Sequence, residues 1–113
     1  YLITPFSSFS KNIKSRIKSK KILNFGLQVK GNRFKFEKSY AVLPNSLAIT
    51  YTLGICTSGQ FKKIFLAGLD GYNKNSPKKF EMDDVLQNYK SEKKARKIIS
   101  LTPTNYKIKT IRI

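Results

Sequence analysis

Few side chains in this sequence combine a reactive type with a position that would present it. Asp70 is the foremost, because it closes an apolar run, Ile64 to Leu69, that is entered from Lys62-Lys63 and left through Asp70-Gly71-Tyr72. A carboxylate at a strand end can hold ribose hydroxyls or a metal, since ligands of open α/β sheets occupy the crevice beyond the carboxyl ends of the strands. Asp-Gly is equally a common turn pair, and both readings stand. Thr102, Thr104 and Asn105 form a second set of donors and acceptors after Ile98-Ile99-Ser100-Leu101. They either face the same crevice or satisfy their own turn. Asn45-Ser46 opens a third position, where a helix start would offer backbone amides to a phosphate or simply be capped. Tyr72 and Tyr106 follow the first two sets; each could stack on a base, or sit at a core margin with a wet hydroxyl.

Other chemistry is excluded by what is missing. The chain has no histidine and one cysteine, Cys56. A cysteine nucleophile of the usual kind therefore has no base, and an internal disulfide is impossible, which suits a reducing cytoplasm. Glycine-rich phosphate loops of the P-loop or dinucleotide type are absent. Glu81, Asp83 and Asp84 could pass for a metal cluster, but they fall where a helix dipole favours acids. No catalytic residue, metal site or cofactor is assigned.

The formal charge of +17 invites a nucleic-acid reading. Only four of the 23 basic residues are arginine, the type preferred for bidentate phosphate and base-edge contacts. Most of the charge is read as a solvated surface, with steering of an anionic ligand as a secondary effect. No run approaches the roughly 20 apolar residues of a membrane helix. At 113 residues the chain is one domain at most, and its opening on Tyr1 rather than Met leads us to expect a piece of a longer protein.

The elements that must position these residues follow from pattern. Residues 1–21 form a basic entry segment, in which Phe9, Ile13 and Ile17 are spaced to dock one short helix. Residues 22–113 form the domain proper. Ile22 to Val29 reads as a strand, Lys30-Gly31-Asn32 as a turn, and Arg33 to Glu37 as an alternating strand, the pair making an N-terminal hairpin. Ser39 to Leu43 is a short apolar run that Pro44 ends. Asn45 to Gly59 carries conflicting signals: its period of two and β-branched residues favour a strand. Leu47, Ala48, Tyr51 and Ile55 nonetheless share a helical face, and Ser58-Gly59 could close a helix. The Asp70 strand reads as buried on both faces. Pro77 to about Lys97 is a helix, with Met82, Val85, Leu86 and Tyr89 at i, i+3, i+4 and i+7. Ile98 to Leu101 is a strand parallel to Ile64 to Leu69 across that helix. Tyr106 to Ile113 is a final edge strand guarded by lysines.

Two stretches carry a resemblance. Lys63 to Tyr72, a polar loop with a proline, Glu81-Met82 opening a helix, and Ser100-Leu101-Thr102-Pro103-Thr104-Asn105-Tyr106 resemble the domain that follows the aldolase barrel in bacterial proteins similar to 4-hydroxy-2-oxovalerate aldolase. Those proteins belong to the HMG-CoA-lyase-like group and tend to occur in surface-polysaccharide gene sets. The match covers about the last two thirds of the chain. More broadly, a strand ending Gly-x-Asp before an aromatic is similar to the nucleotide-binding part of bacterial sialyltransferases and archaeal-type pterin diphosphokinases. There the preceding segment is helical, which implies a helix at Asn45 to Gly59. The barrel with its metal ligands is missing, as is the histidine base expected of the sialyltransferases.

The resulting expectation is an α/β fold, a Rossmann-like three-layer sandwich with a small, mainly parallel sheet plus the N-terminal hairpin. The expected function is that of an accessory sugar- or nucleotide-binding domain of an aldolase-like enzyme in bacterial surface-polysaccharide biosynthesis. Its ligand would be an anionic sugar or nucleotide-sugar, and an aldolase domain would precede it in the full-length protein. The binding residues would be Asp70, Gly71, Tyr72, Thr102, Thr104, Asn105, Asn45 and Ser46. A degenerate sialyltransferase-like glycosyltransferase using a CMP-sugar, and a basic nucleic-acid-binding module, are the alternatives.

Overall fold

Contacts along the chain gather into two units, Tyr1–Gly59 and Gln60–Ile113. The computed structural model describes residues 1–18 and 21–112. Ser19 and Lys20 of the basic entry, and Ile113 of the expected last strand, lie outside the described residues. Among the described residues the chain is an α/β fold with three small, mostly parallel sheets and three α-helices.

In the first unit, β1 (Leu2–Thr4) pairs in parallel with β2 (Ile22–Asn24). Between them lie a 3₁₀ turn at Phe6–Ser8 and α1 (Lys11–Arg16), whose Ser10 hydroxyl accepts from the Ile13 N–H at 3.4 Å. The expected docking stripe does not form: α1 buries no residue and Ile13 is exposed, as a single turn and a half of helix with three basic residues has too little apolar face to seat. The strand expected from Ile22 to Val29 is broken at Phe25, so that β2 and β3 (Gly26–Val29) enter different sheets. Phe25 is buried, and its carbonyl accepts the Tyr51 hydroxyl at 2.5 Å.

The second sheet has the order β3, β5 (Tyr40–Leu43), β4 (Lys35–Phe36). β3 and β4 are therefore not hairpin neighbours. β5 separates them, parallel to β3 and antiparallel to β4, and the tight antiparallel pair is β4 with β5. The burial explains the order, because Ala41 and Leu43 are wholly buried and suit the central strand, whereas Lys35 is exposed at the edge. The alternation of Arg33 to Glu37 works as read: Phe34 and Phe36 are buried and stack at 5.7 Å.

α2 (Ala48–Ser58) occupies the segment whose local signals conflict. Its buried stripe is Thr50, Leu53, Gly54 and Thr57, not Leu47, Ala48, Tyr51 and Ile55. The reason lies in Gly54, where a Cβ would come within 2.9 Å of the Ala41 Cβ and 3.2 Å of a Leu43 methyl. A helix can lie this close to β5 only with a small residue at the contact. The helix does not end in a left-handed glycine either; Gly59 has φ −75°, and Gln60 takes the positive φ of 59°.

The second unit is a β–α–β crossover with one added strand. β6 (Lys63–Leu66) pairs in parallel with β7 (Lys97–Ser100), and β7 pairs in parallel with β8 (Lys109–Thr110). α3 (Pro77–Ser91) connects β6 to β7 and buries Met82, Val85, Leu86 and Tyr89, the four residues its spacing selects. It starts on Pro77, whose missing N–H costs nothing at the first helical position. α3 ends six residues earlier than expected. The wholly buried Tyr89 supplies the reason: its hydroxyl accepts from the Arg96 N–H at 2.9 Å and holds the chain on its turn into β7. The acids are also not in the first turn, which carries Lys78 and Lys79, so the dipole does not account for Asp83.

β6 departs from the strand expected to be buried on both faces. Ile64 is buried but Phe65, on the opposite face, is 52% exposed. β7 is the covered strand of this sheet, with Ile98, Ile99 and Ser100 all buried.

Candidate functional site

Parallel register delivers the ends of β6 and β7 side by side, with Leu66 opposite Ser100. Beyond these ends the two loops continue together. The Leu101 N–H donates to the Leu66 carbonyl at 2.7 Å, the Gly68 N–H to the Thr102 hydroxyl oxygen at 3.0 Å, and the Asn105 N–H to the Asp70 carbonyl at 2.8 Å. At the tip the Tyr72 N–H reaches the Tyr106 hydroxyl oxygen at 3.4 Å. Gly71, at φ +100°, lies where a Cβ would come within 3.0 Å of the Asn105 Cβ. Residues 66–72 and 101–106 are thus brought together, as the parallel reading requires. The space between their backbones is closed by their own hydrogen bonds.

What stays open is side-chain surface around this seam. Asp70 is exposed, and its carboxylate has no hydrogen bond or ion pair among the described residues. Tyr72 is exposed, with the Lys78 ammonium 5.7 Å from its ring centre. The Thr102 hydroxyl oxygen is already occupied by Gly68, and the Thr104 hydroxyl oxygen accepts from the Tyr106 N–H at 3.3 Å. These two threonines shape the loop first. Tyr106 is buried with Lys79 over its ring at 5.3 Å, so its aromatic face is covered by a cation of α3. An exposed carboxylate can accept hydrogen bonds, and the exposed Tyr72 ring offers an apolar face with a lysine beside it.

Asn45 and Ser46 belong to the first unit. The Asn45 amide oxygen accepts from the Leu47 N–H at 3.2 Å and from the buried Thr50 hydroxyl at 2.7 Å, tying down the start of α2. The Thr50 hydroxyl also lies 2.6 Å from the Leu47 carbonyl. Asn45 therefore acts as the anchor of a helix entry, and Ser46 is exposed beside it.

A further opening in the second unit lies along α3. A groove of about 520 Å³ is lined by Lys79, Asp83, Leu86, Gln87, Lys90, Asn105 and Lys107. Of these, sequence reasoning singled out only Asn105 as a binding residue. The missed signal was the spacing of Lys79, Asp83, Leu86, Gln87 and Lys90, a second helical face beside the buried one. Lys79 pairs with Asp83 at 2.5 Å, and the Lys90 ammonium donates to the Lys107 carbonyl. Among the described residues, no three side chains of histidine, cysteine, aspartate or glutamate converge as metal ligands. No helix among them is long and apolar enough to cross a membrane. Burial pushes the thiol of Cys56 and the phenol of Tyr51 above their ordinary pKa values, so neither is an activated nucleophile.

Comparison with known proteins finds no match to this chain among family models, curated proteins or solved structures.

Proposed function

We propose that this chain is an accessory domain that binds an anionic sugar or nucleotide-sugar, joined in its full-length protein to an aldolase-like enzyme of bacterial surface-polysaccharide biosynthesis. In this reading the β6–α3–β7 crossover is the core of a Rossmann-like sandwich working in the cytoplasm. The observation that supports the ligand half is the parallel pairing of β6 with β7, whose following loops bring Asp70 against Asn105 and Tyr72 against Tyr106 beyond the carboxyl ends of the strands. The aldolase half rests on the motif resemblance at Lys63 to Tyr72 and Ser100 to Tyr106. Asp70 is the acceptor for ligand hydroxyls, Tyr72 the ring beside them, and Gly71 the residue that lets the two loops close.

Calorimetric titration of the chain with CMP, CDP-sugars and UDP-sugars tests this. Saturable heat at or below millimolar ligand, lost in Asp70→Ala, is the expected result. No heat with any of them at millimolar ligand would remove the ligand half of the proposal.

A further inference from the structure

The groove along α3 carries charge that the strand-end reading does not use. Lys79 and Asp83 neutralise each other across 2.5 Å, and Lys90 and Lys107 are the remaining charged residues of its lining. The groove therefore presents two uncompensated positive charges, together with the amides of Gln87 and Asn105. The Lys90 ammonium is held, because one of its donors is committed to the Lys107 carbonyl. An ammonium has three donors, so two remain free to reach a ligand oxygen from a fixed position. Side chains on a helix lean toward its N-terminus, which points Lys90 from the last turn of α3 toward the Lys79 end. Asn105 joins the groove to the seam, since the same residue lines the groove and donates its N–H to the Asp70 carbonyl.

From this we infer that the groove is a diphosphate site, in which Lys90 and Lys107 face the two charges of a ligand's diphosphate group and Gln87 and Asn105 donate to its uncharged oxygens. The inference rests on the sugar-nucleotide reading for what continues beyond the diphosphate, and not for the charge match itself. Eleven residues separate Lys79 from Lys90, about 16 Å along a helix, enough for an extended diphosphate ester rather than a lone phosphate. Asp83 has a part in this: it takes up the charge of Lys79 and leaves Lys90 and Lys107 to face the ligand.

Inorganic pyrophosphate is the probe, titrated calorimetrically into the whole chain at about 0.15 M salt, where exposed and separated charges are largely screened. The Lys90→Gln/Lys107→Gln pair is compared with Lys38→Gln/Lys94→Gln, which removes the same charge from exposed positions outside the groove. The groove pair is expected to weaken pyrophosphate by about tenfold or more, the loss of charge-assisted contacts, and the control pair by less than about twofold. Equal losses in the two pairs would overturn the site, because they would show attraction by net charge alone. Thermal midpoints measured on the same samples read folding separately, and glutamine keeps the side-chain stem. Pyrophosphate contains no sugar, so its binding in a chain indifferent to every nucleotide-sugar leaves the groove standing and removes the sugar reading. Nucleotide-sugar heat that is unchanged in the groove pair does the reverse.

Discussion

The two units use polar residues in opposite ways. In the first, they are turned inward to fasten one helix: the Thr50 hydroxyl to Asn45, the Tyr51 hydroxyl to the Phe25 carbonyl, and a glycine where α2 meets β5. In the second, backbone bonds from Leu101 to Leu66 and from Asn105 to Asp70 join the loops, the Thr102 and Tyr106 hydroxyls add to them, and other polar side chains stay on the surface. Asp70, Tyr72, Lys90 and Lys107 are those residues. The lesson is that an Asn-Ser pair before a helix and an Asp-Gly pair after a strand look equally available in sequence. What separates them is whether a buried hydroxyl such as Thr50 stands within reach of the polar atom.

The largest expected effect lies in the inward-facing unit. Gly54→Val places two methyl groups where even a Cβ meets Ala41 at 2.9 Å, and should cost about 3 kcal/mol, read from the urea midpoint. Gly54→Ala should cost less, since alanine recovers about 1 kcal/mol of helix propensity. A fully tolerated valine would mean that α2 does not bear on β5 as closely as described.

Next is the seam of the second unit. Gly71→Ala combines a positive φ with a contact of 3.0 Å and should cost about 1–3 kcal/mol. Gly31→Ala also has positive φ but meets nothing within 4 Å, so its smaller cost isolates the strain from the crowding. Equal costs would show that closure of the two loops does not depend on Gly71.

Single hydroxyls come third. Tyr89→Phe removes the acceptor of the Arg96 N–H and should cost about 1 kcal/mol, as should Thr50→Val for its bond to Asn45. Chemical shifts at Ala95 to Lys97 should move only in the first variant. No movement there in Tyr89→Phe would show that this hydroxyl does not hold the turn into β7.

The smallest effect is a pH dependence. Burial disfavours the ionised forms of Tyr51 and Cys56, so the folded chain holds these protons more tightly than the unfolded chain. Their contribution is fully present below the unfolded values of 10.0 and 9.0 and fades as pH rises through the higher folded values. Stability should therefore fall above about pH 9, and the Tyr51→Phe/Cys56→Ala variant should show a shallower fall. An unchanged slope would assign the alkaline loss to other groups.

Sequence made the second unit legible because its signals agree. Ile64 and Leu66 in β6, the i, i+3, i+4, i+7 set of α3, and Ile98-Ile99 in β7 each have one reading, and β6 and β7 pair in parallel as that pattern requires. The first unit was harder. In Asn45 to Gly59 the local pattern favoured a strand, and packing on β5 decided for a helix with Gly54, a poor helix former, at its contact. The break at Phe25 was invisible because the pairing partner of β2 is twenty residues earlier, in β1. That the Asp70 and Asn105 loops lie together was legible from the parallel strands, although β6 ends at Leu66 rather than Leu69, and β7 at Ser100 rather than Leu101, so both residues lie in the loops beyond. The groove was not, because Lys79, Lys90 and Lys107 look like the chain's other lysines until a helix face and a loop bring them together.

The most direct test follows backbone amides of the isotope-labelled chain by NMR during titration with a nucleotide-sugar. The account predicts saturable shifts at Gly68 to Tyr72 and at Thr102, Thr104, Asn105 and Tyr106, with Leu47 to Tyr51 unmoved. Shifts that never saturate, or that spread evenly over the lysine-bearing surface, would contradict it.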